Sequence, residues 1–171
     1  MLKSHRNADN HPAMAVAESS EFRVEKQRAD AVIMLTSGIC VTGHFFIAQA
    51  SPTINGRERV SELLNAEAGF FPFEDEGGET VLYNRDHVVT VEVFDDEARR
   101  DPGYGVATAR TVSVLLSNGQ RLRGSVRVYR PAGRDRLSDW ARHGPRFRYV
   151  EGERATFLVN VDHIVDAREV T

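Results

Sequence analysis

Two histidines that each follow an aspartate have the clearest capacity for chemistry in this chain. They end the segments Asn84-Arg85-Asp86-His87 and Asn160-Val161-Asp162-His163. Imidazole titrates near neutral pH and a neighbouring carboxylate can fix its tautomer, so an Asp-His pair suits metal binding or acid/base work. The same residue types also suit a purely structural part, because Asn and Asp favour tight turns and His can bond a backbone carbonyl.

The surroundings of these two segments favour the structural interpretation. No third ligand recurs with them, since His44 aligns with Ser125 and His143 with Ala66. No Ser, Cys or Lys nucleophile accompanies them, and a repeated catalytic site needs its partners repeated as well. The single cysteine, Cys40, excludes a disulfide within the chain and a cysteine-based metal cluster. We therefore expect a protein that is not an enzyme and that needs no cofactor.

The two histidine segments belong to an internal duplication, which indicates a repeat architecture. The stretch from Leu35 to Gly43 returns as Leu116 to Gly124 at an offset of 81 residues, and Leu82 to Val89 returns as Leu158 to Val165 at an offset of 76. The lost residues fall in loop-like stretches, where length changes are tolerated. The predicted organisation is a flexible N-terminal tail at 1–20, repeat 1 at 21–93, a linker at 94–110 and repeat 2 at 111–171.

Alternating apolar and polar residues predict a mainly β protein. Each repeat is expected to contain about five strands, with one short helix inserted after the second strand. Ser61 and Ser138 are the predicted N-caps of these helices. Five short, bent strands usually close into a small barrel. We therefore predict two tandem five-stranded barrels that pack with pseudo-two-fold symmetry.

The glycine spacing of each repeat resembles the first signature of Sm-like domains, in which the second strand bends at the later glycine. Leu35, Gly38 and Gly43 carry it in repeat 1, and Leu116, Gly119 and Gly124 carry it in repeat 2. The segments ending in Asn-x-Asp-His occupy the place of the second signature. Taken whole, the chain looks like a tandem form of an uncharacterised bacterial domain family with an Sm-like barrel. The residues with which RNA-binding Sm proteins hold a base are absent, so that pocket is not carried over.

Charge is distributed unevenly along the chain. Residues 1–109 contain 10 basic and 18 acidic side chains, and residues 110–171 contain 12 basic and 7 acidic ones. The alternation of the second strand of repeat 2 places a set of basic and aromatic residues on one outer face, which suits phosphates and stacked bases. This candidate phosphate or nucleic-acid face consists of Arg121, Arg123, Arg127 and Tyr129. Arginine outnumbers lysine 20 to 2 throughout the chain, so the same residues also fit an ordinary solvated strand face.

Repeat 1 carries apolar residues at the corresponding outer positions, and these predict burial against another surface. Val32, Met34 and Phe46 are the candidate protein interface, with the other repeat, a second subunit or another protein as the partner. The leading hypothesis is a non-enzymatic adaptor, regulator or assembly component that contacts another protein or itself. The alternative is an RNA, DNA or nucleotide-binding module that uses the arginine face. No run approaches a membrane span of about 20 apolar residues, so a cytoplasmic location is expected.

Overall fold

The computed structural model describes residues 26–171, and the predicted N-terminal tail at 1–20 lies outside them. The described chain is mainly β, with one open antiparallel sheet of ten strands and two short α-helices. In repeat 1 the elements are β1 Lys26–Leu35, β2 Cys40–Ala48, α1 Val60–Ala66, β3 Phe70–Asp75, β4 Thr80–Asn84 and β5 Val88–Val93. In repeat 2 they are β6 Thr108–Leu116, β7 Arg121–Val128, α2 Leu137–Arg142, β8 Phe147–Glu151, β9 Thr156–Asn160 and β10 Ile164–Glu169. Short 3-10 turns span Arg85–His87, Glu97–Arg100 and Val161–His163.

Both repeats have five strands with a helix after the second strand, as the sequence predicts. The order across the sheet is β10-β6-β7-β8-β9-β5-β1-β2-β3-β4. Each repeat therefore arranges its own strands in the same order, fifth, first, second, third and fourth. The described sheet is open, with β4 and β10 at its two edges, so the expected closure into two separate barrels is not seen.

The two repeats are joined head to tail through β5 and β9. These strands pair antiparallel, with Thr90 opposite Val159 and Val93 opposite Thr156. Strand β5 is the fifth strand of repeat 1, whereas β9 is the fourth strand of repeat 2. A two-fold axis would bring equivalent surfaces of the two repeats together. The prediction of pseudo-two-fold symmetry is therefore wrong, and the reason is that unlike edges of the two repeats complement each other.

The later glycine of each repeat lies where the third strand crosses the second at very short range. A Cβ at Gly43 would lie 2.0 Å from the carbonyl oxygen of Glu74, and a Cβ at Gly124 would lie 2.6 Å from that of Glu151. Both distances are far inside van der Waals contact, so each position excludes a side chain. The repeated glycine thus permits the close approach of β3 to β2 and of β8 to β7.

The buried side chains form two clusters that cross the boundary between the repeats. The first cluster holds the core of repeat 1, including Phe45, Phe71 and Phe73, together with Phe147 and Leu158 from repeat 2. The second cluster holds the core of repeat 2, including the Trp140 side chain, and takes in Val89 from repeat 1. Each core is thus completed by side chains of the other repeat, so the described residues fold as one interlocked unit.

The two helices begin with the same device, which differs from the predicted one. Glu62 accepts a hydrogen bond from the backbone N–H of Arg59 at 2.8 Å, and Asp139 accepts one from that of Arg136 at 3.2 Å. Each acid is the third residue of its helix, and it reaches back to satisfy an N–H at the helix start. Ser61 lies inside α1 rather than at its cap. The serine prediction is wrong because a downstream carboxylate performs the capping.

Glu62 also makes the fold sensitive to acid. Burial alone would raise its pKa. Hydrogen bonds from Thr53, Ser51 and Arg59 outweigh that effect and lower the pKa from an ordinary 4.5 to about 2. Because the folded-state pKa is depressed, the stabilisation is present above the unfolded value and is lost as pH falls from 4.5 towards 2. We expect Glu62→Gln to lower the urea midpoint of unfolding at neutral pH, and this deficit to shrink as the pH approaches 3.

The matched control for that measurement is Glu153→Gln. Glu153 is exposed and forms no ion pair within residues 26–171. The urea midpoint of the Glu153→Gln variant should equal that of the wild type at every pH. A gap between the Glu62→Gln variant and the wild type that stays constant down to pH 3 would contradict the assignment.

Candidate interaction site

The repeated Asn-x-Asp-His segments form two equivalent 3-10 turns that lead into β5 and β10. In each turn the asparagine side chain accepts a hydrogen bond from the backbone N–H two residues later, at 3.0 Å for Asn84 and 3.1 Å for Asn160. The histidine Nδ1 contacts a hydroxyl of the preceding hairpin turn, Thr36 in repeat 1 at 3.4 Å and Ser117 in repeat 2 at 3.0 Å. The segment therefore fixes the direction in which the fifth strand leaves the turn.

In repeat 2 the same segment also binds repeat 1. The fully buried amide of Asn160 donates to the carbonyl oxygens of Val88 at 2.9 Å and Arg85 at 3.2 Å. His163 donates through Nε2 to the carbonyl of Asp86 at 2.8 Å. The motif is therefore part of the junction between the repeats, where it satisfies backbone carbonyls beyond the end of the β5–β9 ladder.

Arg146 adds an ionic contact to this junction. Its guanidinium lies 2.7 Å from Asp86 and 2.8 Å from Asp162, so it joins the two aspartates of the repeated segments. Both carboxylates are well exposed, and exposed ion pairs contribute little to stability. The buried amide of Asn160 is therefore the stronger polar contact of the two.

The other end of the junction is held by α1 and the linker. Asn65 forms a paired contact with the backbone of Phe147, donating to its carbonyl at 3.0 Å and accepting from its N–H at 2.8 Å. The Tyr149 hydroxyl donates to Glu97 at 2.8 Å, and Glu97 also accepts from the backbone N–H of Val60 at 2.9 Å. Burial raises the pKa of Glu97, although these donors oppose the rise. A buried acid of the linker thus connects the start of α1 to β8.

Two buried arginines donate hydrogen bonds to backbone carbonyls near the ends of the two helices. Arg85 donates to the carbonyls of Leu63, Leu64 and Phe70 around the end of α1. Arg148 donates to the carbonyls of Trp140, Gly144 and Pro145 around the end of α2. The two arginines occupy different positions in their repeats and satisfy equivalent helix ends. Alignment of the repeats gives no signal for this role, because the residues are not aligned.

The described contacts of His87 and His163 are with protein groups. Within residues 26–171 no three His, Cys, Asp or Glu side chains converge in a metal-binding arrangement. The ring nitrogens of His163 both contact protein groups, one in each repeat. In the described residues, the Asn-x-Asp-His motif therefore makes structural contacts.

Repeat 1 presents its copy of the junction surface to solvent. Phe70 and Leu82 are 61% and 64% exposed, whereas their repeat 2 equivalents, Phe147 and Leu158, are 1% and 0% exposed. They lie on neighbouring strands of the same outer face, since Phe70 pairs with Asn84 and Pro72 pairs with Leu82. We call Phe70, Pro72 and Leu82 the β4-edge patch. It is an apolar surface on the last two strands of the described sheet, next to the unpaired outer edge of β4, and such a surface is a typical site of protein association.

The sequence-predicted interface of repeat 1 is only half exposed. Val32, Met34 and Phe46 are each partly buried. The Asn118 amide lies 2.9 Å from the sulfur of Met34, so the hairpin turn of repeat 2 touches this face. Phe46 packs edge-on against His44 of its own strand. Met34 therefore contacts repeat 2 of the same chain.

The sequence-predicted arginine face is largely engaged within the protein. Arg121 pairs with Asp166 at 3.0 Å, and Arg127 lies 3.4 Å from Glu151 and over the ring of Tyr104. Arg123 is exposed and has no ion pair within the described residues. Tyr129 is 44% exposed. Two of the three arginines thus have carboxylate partners, which leaves little uncompensated charge for a phosphate backbone.

A cavity of about 410 Å³ opens between the two helices and the linker. Several of its charged side chains pair with one another, since Arg59 binds Asp101 and Arg127 binds Glu151. The Tyr104 hydroxyl donates to Glu151 at 2.6 Å. These side chains therefore have partners within the protein.

The sequence did not identify the β4-edge patch or the junction contacts of Asn65, Tyr149 and Arg146. The aligned pairs Phe70/Phe147 and Leu82/Leu158 were a usable signal, because both repeats keep a large apolar residue on the outer face. Which member of each pair is covered depends on how the repeats pair. That information lies in the tertiary structure alone.

Comparison with known proteins found no matching family model, no matching curated protein and no matching solved structure. Among the described residues, neither helix has the length and apolarity required to cross a bilayer.

Proposed function

We propose that this chain is a non-enzymatic interaction protein, an adaptor or assembly component, that binds a polypeptide along the open β4 edge of its sheet. The observation that carries the proposal is the β4-edge patch, where two large apolar side chains lie exposed next to an edge of β4 that is unpaired within residues 26–171. Unpaired strand edges accept another strand through main-chain hydrogen bonds, and flanking apolar side chains supply affinity.

We further infer that the two repeats are tandem Sm-like units. The shared strand order and the close crossing at Gly43 and Gly124 support this inference. In the Sm-like signature the second strand bends at the later glycine, which is the position that excludes a side chain in both repeats. The use of His163 and Asn160 in junction contacts supports a non-catalytic part for the repeated motif.

The proposal is tested by affinity capture from a cell lysate with the full chain and two variants. Leu82→Arg places a charge on the β4-edge patch. Val106→Arg is the matched control, because Val106 is 91% exposed and lies in the linker. We expect the wild type and the control to retain the same polypeptide, after nuclease treatment and in high salt, and Leu82→Arg to lose it.

Two results would count against this function. One is that no polypeptide is retained, not even a second copy of this chain. The other is enrichment of nucleic acid that disappears in high salt and in an Arg121→Glu, Arg123→Glu, Arg127→Glu variant, since electrostatic binding weakens steeply with salt. The second result would favour the nucleic-acid alternative.

A further inference from the structure

We infer that the cavity between the two helices and the linker binds a small aromatic acid, whose ring packs among aromatic side chains and whose carboxylate pairs with Arg148. This site is separate from the β4-edge patch, so the inference goes beyond the proposed function and does not depend on it. The cavity volume of about 410 Å³ lies within the range of pockets that enclose small organic ligands.

Both repeats build the walls of this cavity. Helix α1 and the linker contribute Ser61, Asn65 and Ala98, whereas repeat 2 contributes residues of β7, α2 and β8. Asn65 is fixed by its paired hydrogen bonds to the backbone of Phe147, which also lines the cavity. The junction between the repeats thus holds these walls in place before any ligand binds. A preformed site of this kind avoids the entropic cost of ordering a free segment on binding.

Aromatic side chains supply much of the apolar surface of the cavity. Trp140 of α2 and Phe147 of β8 are buried, and Tyr149 of β8 is partly buried. Tyr104 of the linker and Tyr129, which follows β7, complete the set. Aromatic rings prefer to pack against one another in offset or edge-to-face arrangements, which favours a planar ring as the ligand. Tyr129 is 44% exposed, so its ring can be removed without opening the core.

One charged side chain of the cavity lacks a counter-charge. Arg59 pairs with Asp101, and Arg127 pairs with Glu151. Arg148 also lines the cavity and is only 8% exposed, yet no carboxylate within residues 26–171 forms an ion pair with it. Buried charges in proteins are normally paired, because an isolated charge is costly to remove from water. An anionic ligand would supply the missing charge.

Backbone carbonyls occupy only part of the Arg148 guanidinium. It donates through Nε to Pro145 at 2.7 Å, through Nη2 to Gly144 at 3.4 Å and through Nη1 to Trp140. A guanidinium carries five N–H groups, so these bonds leave one on each terminal nitrogen. Arginine holds carboxylates through pairs of N–H groups. The two remaining donors therefore suit the carboxylate of an aromatic acid.

The buried arginine of repeat 1 provides a comparison. Arg85 makes four hydrogen bonds to backbone carbonyls around the end of α1, and it is not part of the cavity wall. Burial lowers the pKa of both arginines, but Glu67 opposes that fall for Arg85, whereas no acid opposes it for Arg148. The helix-end contacts that both arginines make therefore account for Arg85 more fully than for Arg148.

The repeats also show that the fold needs no charge at this strand position. Arg148 aligns with Phe71, which is 1% exposed and belongs to the core of repeat 1. An apolar side chain thus serves at the same position in the sister repeat. The arginine occurs in the repeat whose β8 lines the cavity. This coincidence is expected of a side chain that holds a ligand.

Further positive charge lies among the exposed residues of the cavity. Arg130 lines it, is exposed and forms no ion pair within the described residues. Charge of one sign along a cleft attracts ligands of the opposite sign and raises the rate of their encounter. An aromatic amine of the same size would instead meet Arg130 and Arg148 and is expected to bind poorly.

The test uses three probes that share one ring and differ in charge, namely phenylacetate, phenylacetamide and phenylethylamine. Trp140 is the single tryptophan of the chain and lines the cavity, so its fluorescence reports their binding. We expect phenylacetate to change this fluorescence saturably in the purified full chain. Phenylacetamide should bind roughly tenfold more weakly, because it loses a hydrogen bond between charged groups. Phenylethylamine should bind no better than the amide.

Variants separate the part of the charge from that of the ring. Arg148→Lys keeps the positive charge but has only three N–H groups, which the three carbonyls require, so the preference for the acid over the amide should fall severalfold. Tyr129→Ala removes one ring of the wall and should weaken all three probes alike. The control is Arg123→Met, which removes an exposed positive charge outside the cavity and should bind phenylacetate as the wild type does.

Equal binding of phenylacetate and phenylacetamide by the wild type would overturn the inference, and so would the absence of a saturable change with all three probes. This comparison needs the wild type alone, so it holds even where circular dichroism shows that Arg148→Lys does not fold. Leu82→Arg should bind phenylacetate normally, and loss of the response in that variant would place the probe on the β4-edge patch and overturn the inference. Loss of polypeptide capture with normal phenylacetate binding would instead count against the proposed function alone.

Discussion

Gly43→Ala is expected to destabilise the fold strongly. The added methyl would lie 2.0 Å from the carbonyl oxygen of Glu74 and 2.7 Å from the Phe73 ring. The first neighbour is backbone in a paired strand, so relief requires β3 to move away from β2 and disrupts the buried Phe45 and Phe73. Overpacking usually costs ~1–3 kcal/mol, and we expect the upper end of that range or more because backbone must shift. Urea denaturation of the variant measures this cost.

The control is Gly105→Ala, because nothing lies within 4 Å of a Cβ at Gly105. Its unfolding free energy should stay close to that of the wild type. Gly124→Ala should resemble Gly43→Ala, since its methyl would lie 2.6 Å from the Glu151 carbonyl oxygen. A wild-type urea midpoint for Gly43→Ala would show that the strand crossing leaves room for a methyl group.

Asn160→Ala is expected to weaken the junction between the repeats. The variant loses the cap on the Val161–His163 turn and the donor to the buried carbonyls of Val88 and Arg85. An unsatisfied buried acceptor costs ~1–3 kcal/mol, and loss of a side-chain cap adds ~1 kcal/mol. We therefore expect a loss of ~2–4 kcal/mol in the free energy of unfolding, measured by urea denaturation at low protein concentration.

Asn84→Ala separates the two parts of this effect. Asn84 makes the same turn contact to the Asp86 N–H but no described contact across a junction within the chain. Its loss should be about 1 kcal/mol, as for a cap alone. Equal losses in the two variants would mean that the contacts of Asn160 to repeat 1 contribute nothing.

The repeats were accessible from sequence because duplication preserves residue types at positions with equivalent local geometry. Alternation located the strands, the inserted helices followed from aligned apolar segments, and Gly43 and Gly124 were recognised as special positions. The turn formed by the Asn-x-Asp-His segment was also predictable, because Asn and Asp bond their own backbone. All of these features depend on interactions between residues close in sequence or on a pattern that both repeats share.

The residues that cap the helices could not be predicted from residue type alone. Ser61 and Ser138 have the usual residue type for an N-cap, yet Glu62 and Asp139 supply the bonds at the helix starts. Arg85 and Arg148 satisfy equivalent helix ends from positions that do not align. In both cases several side chains can reach the same backbone groups, and three-dimensional packing selects among them.

The sequence by itself determined the β class, the two repeats and the residues that shape each turn, since these follow from local propensity and repetition. Only the tertiary structure decided that unlike edges of the repeats pair, that Asn160 and His163 act across the junction, and that Leu158 is buried while Leu82 is exposed. The physical reason is that equivalent residues have the same intrinsic preferences, whereas burial depends on which strand lies alongside. In this chain each repeat has one covered edge and one open edge, and no local pattern distinguishes them.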